Sequence, residues 1–394
     1  MRGSIVTKTL QECAAKVNHL FAGGPRNGLT IPILLGIPCL TVASNGDMRP
    51  GVTAMSERIQ GIHHMGLWVC VVIGIVVFGA MFYSIFAHRR SKNPTPANFH
   101  DSTAVEITWT LIPFLILVAM GIPASYALRD IEDNSDSELT ILITASQWKW
   151  HYEYLESGIS YYSNNATPDE QIDNLEPKDQ FYLLDVDKPL VLPTNKKVRL
   201  LTTADDVIHA WWVPDFAVKQ DAIPGFINEA WVEVPVTGVF RGQCTEFCGM
   251  GHAYMPIVAE VRTEEKFDAW IEEQRLAAEL AGEAAVAARA KTWSMGELVT
   301  LGEEVFIEHC ATCHQRDGMG QGAKYPALAG SAIATGPIPD HLNRVMNGLA
   351  DTEMQAWAPQ LSDLEIAAVI TYERNSWGNE VGDLIQPATV YEAR

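Results

Sequence analysis

The sequence predicts a multi-domain membrane protein with an N-terminal transmembrane α-helical hairpin, an all-β domain and a small C-terminal all-α domain. Three observations predict it. Two apolar runs, at 64–86 and about 105–127, the second charged only at Glu106 near its start, are each about 20 residues long, enough to cross a bilayer as helix. Beyond residue 137, short β-branched and aromatic runs are separated by turn residues, the pattern of a sandwich or barrel. After an Ala-rich charged stretch, a Cys-x-x-Cys-His motif stands at 310–314.

The chain begins with Arg2, Lys8, Lys16 and Arg26. A short apolar run from Ile31 ends in small residues at Ala43 and Ser44. A basic start, an apolar centre and a small-residue cleavage site predict a signal peptide over 1–44. The hairpin is expected over 60–130. Its short loop carries His88, Arg89, Arg90 and Lys92, so the loop faces the cytoplasm and both outer ends face the periplasm. Glu106 opens the second span, where the helix dipole favours a carboxylate.

The all-β domain is expected over 137–262, with strands such as Leu139–Thr144, Val198–Thr203, Ala230–Val234 and Ile257–Val261. The polar, acidic segment from about 157 to 180 reads as an insertion. Residues 263–294 read as a helical linker, because Ala-rich charged sequence favours helix without a wide apolar face. The all-α domain is expected over 295–380. With 394 residues the chain has room for two or three domains, and its net charge of −20 excludes a nucleic-acid binder. An acidic surface suits a basic protein partner or simple solubility.

Four of the seven cysteines fall into two cofactor motifs. The first is Cys244-Thr-Glu-Phe-Cys248-Gly-Met-Gly-His252-Ala-Tyr-Met255, with His209 upstream. Thiolate, imidazole and thioether ligands suit copper or zinc rather than magnesium or calcium. A mononuclear blue-copper site needs one Cys, so a second thiol points to a bridged copper pair, CuA. In that reading Cys244 and Cys248 bridge, His209 and His252 cap the ends, and Met255 and the Glu246 carbonyl are weak ligands. A Cys2His2 zinc site uses the same four strong donors but has no use for Met255.

The second motif is Cys310-Ala-Thr-Cys313-His314, which predicts covalent haem c with His314 as proximal iron ligand. A thioredoxin-like reading lacks its βαβ context, and a zinc ribbon lacks its second Cys pair. Three methionines are candidates for the distal ligand. Met319 is too close to the attachment site, and Met346 lies in a helix-end pattern and is expected in the core. Met354 lies in a loop before a final helix, where class I cytochromes c, which this segment resembles, carry their methionine, so the resemblance implies Met354 as the ligand.

At these residues the chain resembles subunit II of haem–copper cytochrome c oxidases. The resemblance runs from about residue 60 to 262. It includes Gln147-Trp148-Lys-Trp150, Asp206-Val-Ile-His209-Ala-Trp, Asp221-Ala-Ile-Pro224-Gly225 and the Cys244–Met255 loop. The 295–380 segment resembles the class I cytochrome c domain fused to some of these subunits. The resemblance implies a cupredoxin-like Greek-key fold for the β domain. It also implies that Trp148 marks where electrons enter, that Glu106 lies at the mouth of a proton path into subunit I, and that the Glu246 carboxylate helps hold Mg2+ at the subunit I contact.

The implied function is the electron-input subunit of a terminal oxidase in a bacterial inner membrane. Electrons would pass from cytochrome c or another periplasmic donor to haem c, then CuA, then haem in subunit I. There O2 is reduced to water with proton translocation. Subunits I and III and membrane lipid are the implied partners. The alternatives are the small subunit of a CuA-type nitric oxide reductase and a membrane-tethered redox shuttle.

Overall fold

The computed structural model describes residues 47–95, 98, 100–349 and 352–394; the leader expected over 1–44 lies outside them. Helix α1 spans Ala54–Ala87 and helix α2 spans Thr103–Ile131, both longer than the apolar runs that predicted them. Polar turns add the extra length. Thr53 starts α1 by accepting from the Ser56 N–H at 3.0 Å, and Ser56 Oγ accepts in return from the Thr53 N–H at 3.1 Å. Trp68, Ile75, Phe78, Leu117 and Ile122 all face outward. Such an apolar surface needs hydrocarbon around it.

Both outer helix ends are fastened to the β domain. The Val52 N–H donates to the Asp215 carbonyl at 2.8 Å, and the Thr53 hydroxyl to the Phe216 carbonyl at 3.0 Å. At the other helix, Trp231 Nε1 donates to the Asp130 carbonyl at 3.1 Å, and Lys197 Nζ to the Asp133 carbonyl at 2.7 Å. The basic 88–92 segment is at the opposite end of the hairpin.

Strands β1 (Leu139–Ser146), β2 (Lys149–Tyr154), β3 (Ile159–Ser163), β4 (Leu190–Pro193), β5 (Val198–Ala204), β6 (His209–Val213), β7 (Val218–Ala222), β8 (Asn228–Val232), β9 (Gly238–Cys244) and β10 (Pro256–Arg262) form two five-stranded sheets. Their orders are β3-β2-β1-β5-β8 and β4-β10-β9-β6-β7. Alternation sends Ile141, Ile143 and Ala145 inward to meet Trp211, Val213, Ile257 and Ala259. Trp150 is fully buried in this core. The 157–180 segment is more ordered than an insertion: β3 pairs antiparallel with β2, and helix α3 (Asp169–Ile172) follows. The Ile159–Ser163 run is too short and polar to read as a strand without its neighbour.

Helix α4 (Glu264–Ala290) is the linker. Its first turns belong to the sandwich, because Phe267 and Trp270 seat on Tyr154 with ring centroids 6.3 and 5.2 Å away. The rest is largely exposed. Helices α5 (Met295–His309), α6 (Ala311–His314), α7 (Ile338–Asn347) and α8 (Asp363–Arg374) build the all-α domain. Helices α5 and α8 cross at Gly302, where an added Cβ would come within 2.1 Å of the Ala368 carbonyl oxygen. Order continues past residue 380. Helix α9 (Pro387–Ala393) buries Val390, and Tyr391 stacks under Arg289 of α4 at 4.1 Å.

Candidate metal and haem sites

Three loops at one end of the sandwich converge. The β9–β10 loop brings Cys244, Glu246, Cys248, His252 and Met255, and β6 begins with His209. The two sulfurs stand between the two imidazoles. His209 Nδ1 is 3.9 Å from Cys244 Sγ, Cys244 Sγ is 3.8 Å from Cys248 Sγ, and Cys248 Sγ is 3.4 Å from His252 Nδ1. The Glu246 carbonyl lies 3.3 Å from Cys244 Sγ while its side chain is exposed. Met255 is buried beside them, and its carbonyl accepts from the Cys244 N–H at 3.1 Å.

The donor atoms of His209, Cys244 and Cys248 lie within 4.8 Å of one another, and His252 falls outside that group. Four donors of one tetrahedral ion would all be mutual neighbours. Two adjacent sulfurs with one imidazole on each side, His252 lying outside the compact group, instead fit two soft ions that share both sulfurs. Without metal, the hydrogen bond between the thiols holds Cys244 well below an ordinary thiol and pushes Cys248 well above it. Metal loading is therefore expected to release a proton from the thiol pair.

A second layer fixes this geometry. His209 Nε2 pairs with Asp206 Oδ1 at 3.0 Å, which leaves Nδ1 for a metal. Burial raises the Asp206 carboxyl, but hydrogen bonds from His209, Gln147 and Val207 overcome it and hold the group below the usual carboxylate range. Gln147 Nε2 and Trp148 Nε1 both donate to the Cys248 carbonyl, at 2.8 and 3.2 Å. The loop passes beneath Trp148 on glycines. A Cβ on Gly251 would lie 2.3 Å from Trp148 Cδ2. Gly251→Ala is therefore expected to keep its metal but displace the indole. Were this loop to hold copper and Trp148 to deliver its electrons, stopped-flow reduction of the metal would slow by about 10–100-fold, the cost of misplacing a reacting partner by about 1 Å.

In the all-α domain, Cys310 and Cys313 are half-buried at the α5–α6 corner. Burial pushes both thiols up. His314 Nδ1 faces the Pro326 carbonyl at 2.9 Å, so its proton sits there and Nε2 is left as a ligand. Met354 packs partly buried against the same apolar cluster as Cys310, whereas Met346 is buried inside it and Met319 is 59% exposed. Glu106 sits exposed in the first turn of α2 and meets none of these residues.

Sequence reasoning quoted Asp206 and Gln147 only as parts of motifs. A carboxylate three residues before a ligand-type histidine was the signal for Asp206. Lys149, between two tryptophans, gave none.

A membrane-anchored β sandwich with a dithiolate–diimidazole loop, joined to a haem-attachment domain, defines a membrane-bound electron-transfer protein. Residues 41–128 match the family model of the cytochrome c oxidase subunit II transmembrane domain, and residues 139–262 that of its periplasmic domain. Residues 297–372 match the model described as cytochrome c oxidase, cbb3-type, subunit III. The probable cytochrome c oxidase subunit 2 of Rickettsia felis is 40% identical over 223 residues, 57% of this chain and 70% of that protein. Cytochrome c oxidase subunit 2 of Cereibacter sphaeroides is 35% identical over 241 residues, 58% of this chain and 79% of that one. A solved periplasmic domain of cytochrome oxidase subunit II from Bradyrhizobium japonicum is 41% identical, covers 36% of this chain and 95% of its own, and superposes with a TM-score of 0.32.

The chain belongs to the cytochrome c oxidase subunit II family, and it carries a cytochrome c domain at its C-terminus. It is a component of the oxidase complex and a partner of subunit I; copper and electron transport come with the family. Two apolar helices anchor it, with the β domain periplasmic.

Proposed function

We propose that the chain is the electron-input subunit of a terminal cytochrome c oxidase in a bacterial inner membrane. It takes electrons from cytochrome c or a similar periplasmic donor at its haem domain and delivers them through the dithiolate loop toward subunit I. O2 is reduced to water there, with proton translocation. The two adjacent sulfurs of Cys244 and Cys248, set between His209 and His252, carry this reading.

Cys244 and Cys248 would bridge a binuclear CuA centre, with His209 and His252 as end ligands and Met255 and the Glu246 carbonyl as weak ones. Cys310 and Cys313 would hold haem c covalently, with His314 and Met354 as axial ligands. When bound, the copper pair and the haem supply one-electron carriers. The protein's own part is to hold them rigid: Asp206 fixes His209, the Pro326 carbonyl fixes His314, and buried strands hold Met255. Trp148, against the Cys248 carbonyl, is the receiving side chain. The outward Glu246 carboxylate is free to share Mg2+ with subunit I, which suits a hard cation. Glu106, exposed on α2, faces the partner or lipid and stands at the mouth of the proton path. Subunit III completes the membrane assembly.

Purifying the complex through a tag on this chain tests the reading. A many-span subunit should copurify, and the preparation should consume O2 with reduced cytochrome c. Reduction of nitric oxide without O2 consumption would replace this function with that of a nitric oxide reductase small subunit. Met354→Ala should retain haem but lose the low-spin Met–iron absorption. Its persistence would move the axial role to Met346.

A further inference from the structure

We propose that Lys149 is a positioning residue that docks the cytochrome domain onto the Gln147–Trp148 turn, so that this turn receives electrons from the chain's own haem domain and is closed to an external donor. The inference rests on the copper and haem reading above.

Lys149 opens β2 yet is only 6% exposed. A buried amine is costly unless partnered, and most of its partners come from the other domain. Its Nζ donates to Gln360 Oε1 and lies 4.4 Å from the centre of the Trp357 ring. From its own domain, Tyr162 lies 5.3 Å away. Burial pulls the ammonium down to about 7, with Asp206 pulling upward, and the amine donates to Gln360 in either protonation state.

The contact continues beside it. Gln360 Nε2 donates to Gln355 Oε1 at 3.0 Å, and Gln355 Nε2 donates to the Gln147 carbonyl at 3.2 Å. The 354–360 loop thus carries Met354, the Gln355 contact and the Trp357 ring together. Trp357 also meets His309, next to Cys310, at 5.4 Å between ring centres. On the other side, the Gln147 N–H donates to Asp206 at 2.7 Å, and Gln147 and Trp148 hold the Cys248 carbonyl. One dipeptide therefore joins the haem loop to both the His209 and the Cys248 sides of the metal site. An ion pair across this boundary, Arg316 with Asp169 at 2.8 Å, is exposed on both sides and adds little.

The test uses the intact holoprotein. Flash reduction of the haem reads its electron transfer to copper. Alongside it, reduced soluble cytochrome c given to haem-free chains, carrying Cys310→Ala/Cys313→Ala with and without the Lys149 change, reads direct access to copper. Lys149→Met keeps the stem and removes the amine. It should slow internal transfer by about tenfold or more, through loss of the docked population, with unchanged copper and haem spectra, and should open direct copper reduction. Lys149→Arg, which still stacks on Trp357, should recover much of the rate. Should Lys149→Met fail to fold, the Gln355→Ala/Gln360→Ala pair reports on the same contact from the other side. An unchanged internal rate in these variants overturns the proposal, as does an altered copper or haem spectrum, which would make Lys149 part of a site. Absence of copper or haem signals from the parent chain would overturn the underlying reading instead.

Discussion

Cys248→Ser should collapse the copper site to at most one ion per chain and stop oxidase turnover. Cys248 is 2% exposed, and its sulfur lies between Cys244 Sγ at 3.8 Å and His252 Nδ1 at 3.4 Å. A serine oxygen is smaller and harder, and it has no affinity for a soft ion that shares two sulfurs. The loss should exceed the roughly 10–100-fold that removal of an outer partner such as Asp206 costs. The fold should survive, because the Cys248 carbonyl still accepts from Gln147 and Trp148. Copper per chain and O2 consumption check this together. Two coppers retained at full turnover would mean that Cys248 does not bridge.

Replacing both Cys310 and Cys313 with Ala should abolish covalent haem and, with it, nearly all turnover on a soluble donor. Haem-stained gels and oxygen uptake read the two effects. The copper spectrum should remain, since the β domain has its own core. Turnover is lost because the empty domain still covers Trp148 through Lys149 and Gln355. Combining this double variant with Lys149→Met should restore part of the turnover by uncovering the turn.

Much of this was legible in the sequence because the signals are local. An apolar run of bilayer length, a Cys-x-x-Cys-His pentad and two cysteines with a histidine in one loop each announce their chemistry within one short continuous stretch. The rest depends on contacts between distant positions. Asp206 reaches Gln147 across 59 residues, Gln147 reaches Cys248 across 101, and Lys149 reaches Gln360 across 211. No periodicity encodes such pairs. Strand β3 escaped notice because a polar edge strand is defined by its partner β2. Helix α9 is a seven-residue element near the C-terminus whose Val390 is buried only in the assembled core of the all-α domain. Lys149 shows the limit best: a lysine between tryptophans reads as a solvated strand residue until a second domain closes over it.

If the Cys244–Met255 loop and His209 hold two copper ions that share an electron, electron paramagnetic resonance of the purified chain, with copper and zinc counted on the same sample, will show it. A seven-line hyperfine pattern with two coppers per chain is the expected result. A four-line mononuclear signal, or zinc in place of copper, would contradict it and leave a membrane-anchored cytochrome c whose β domain does other work.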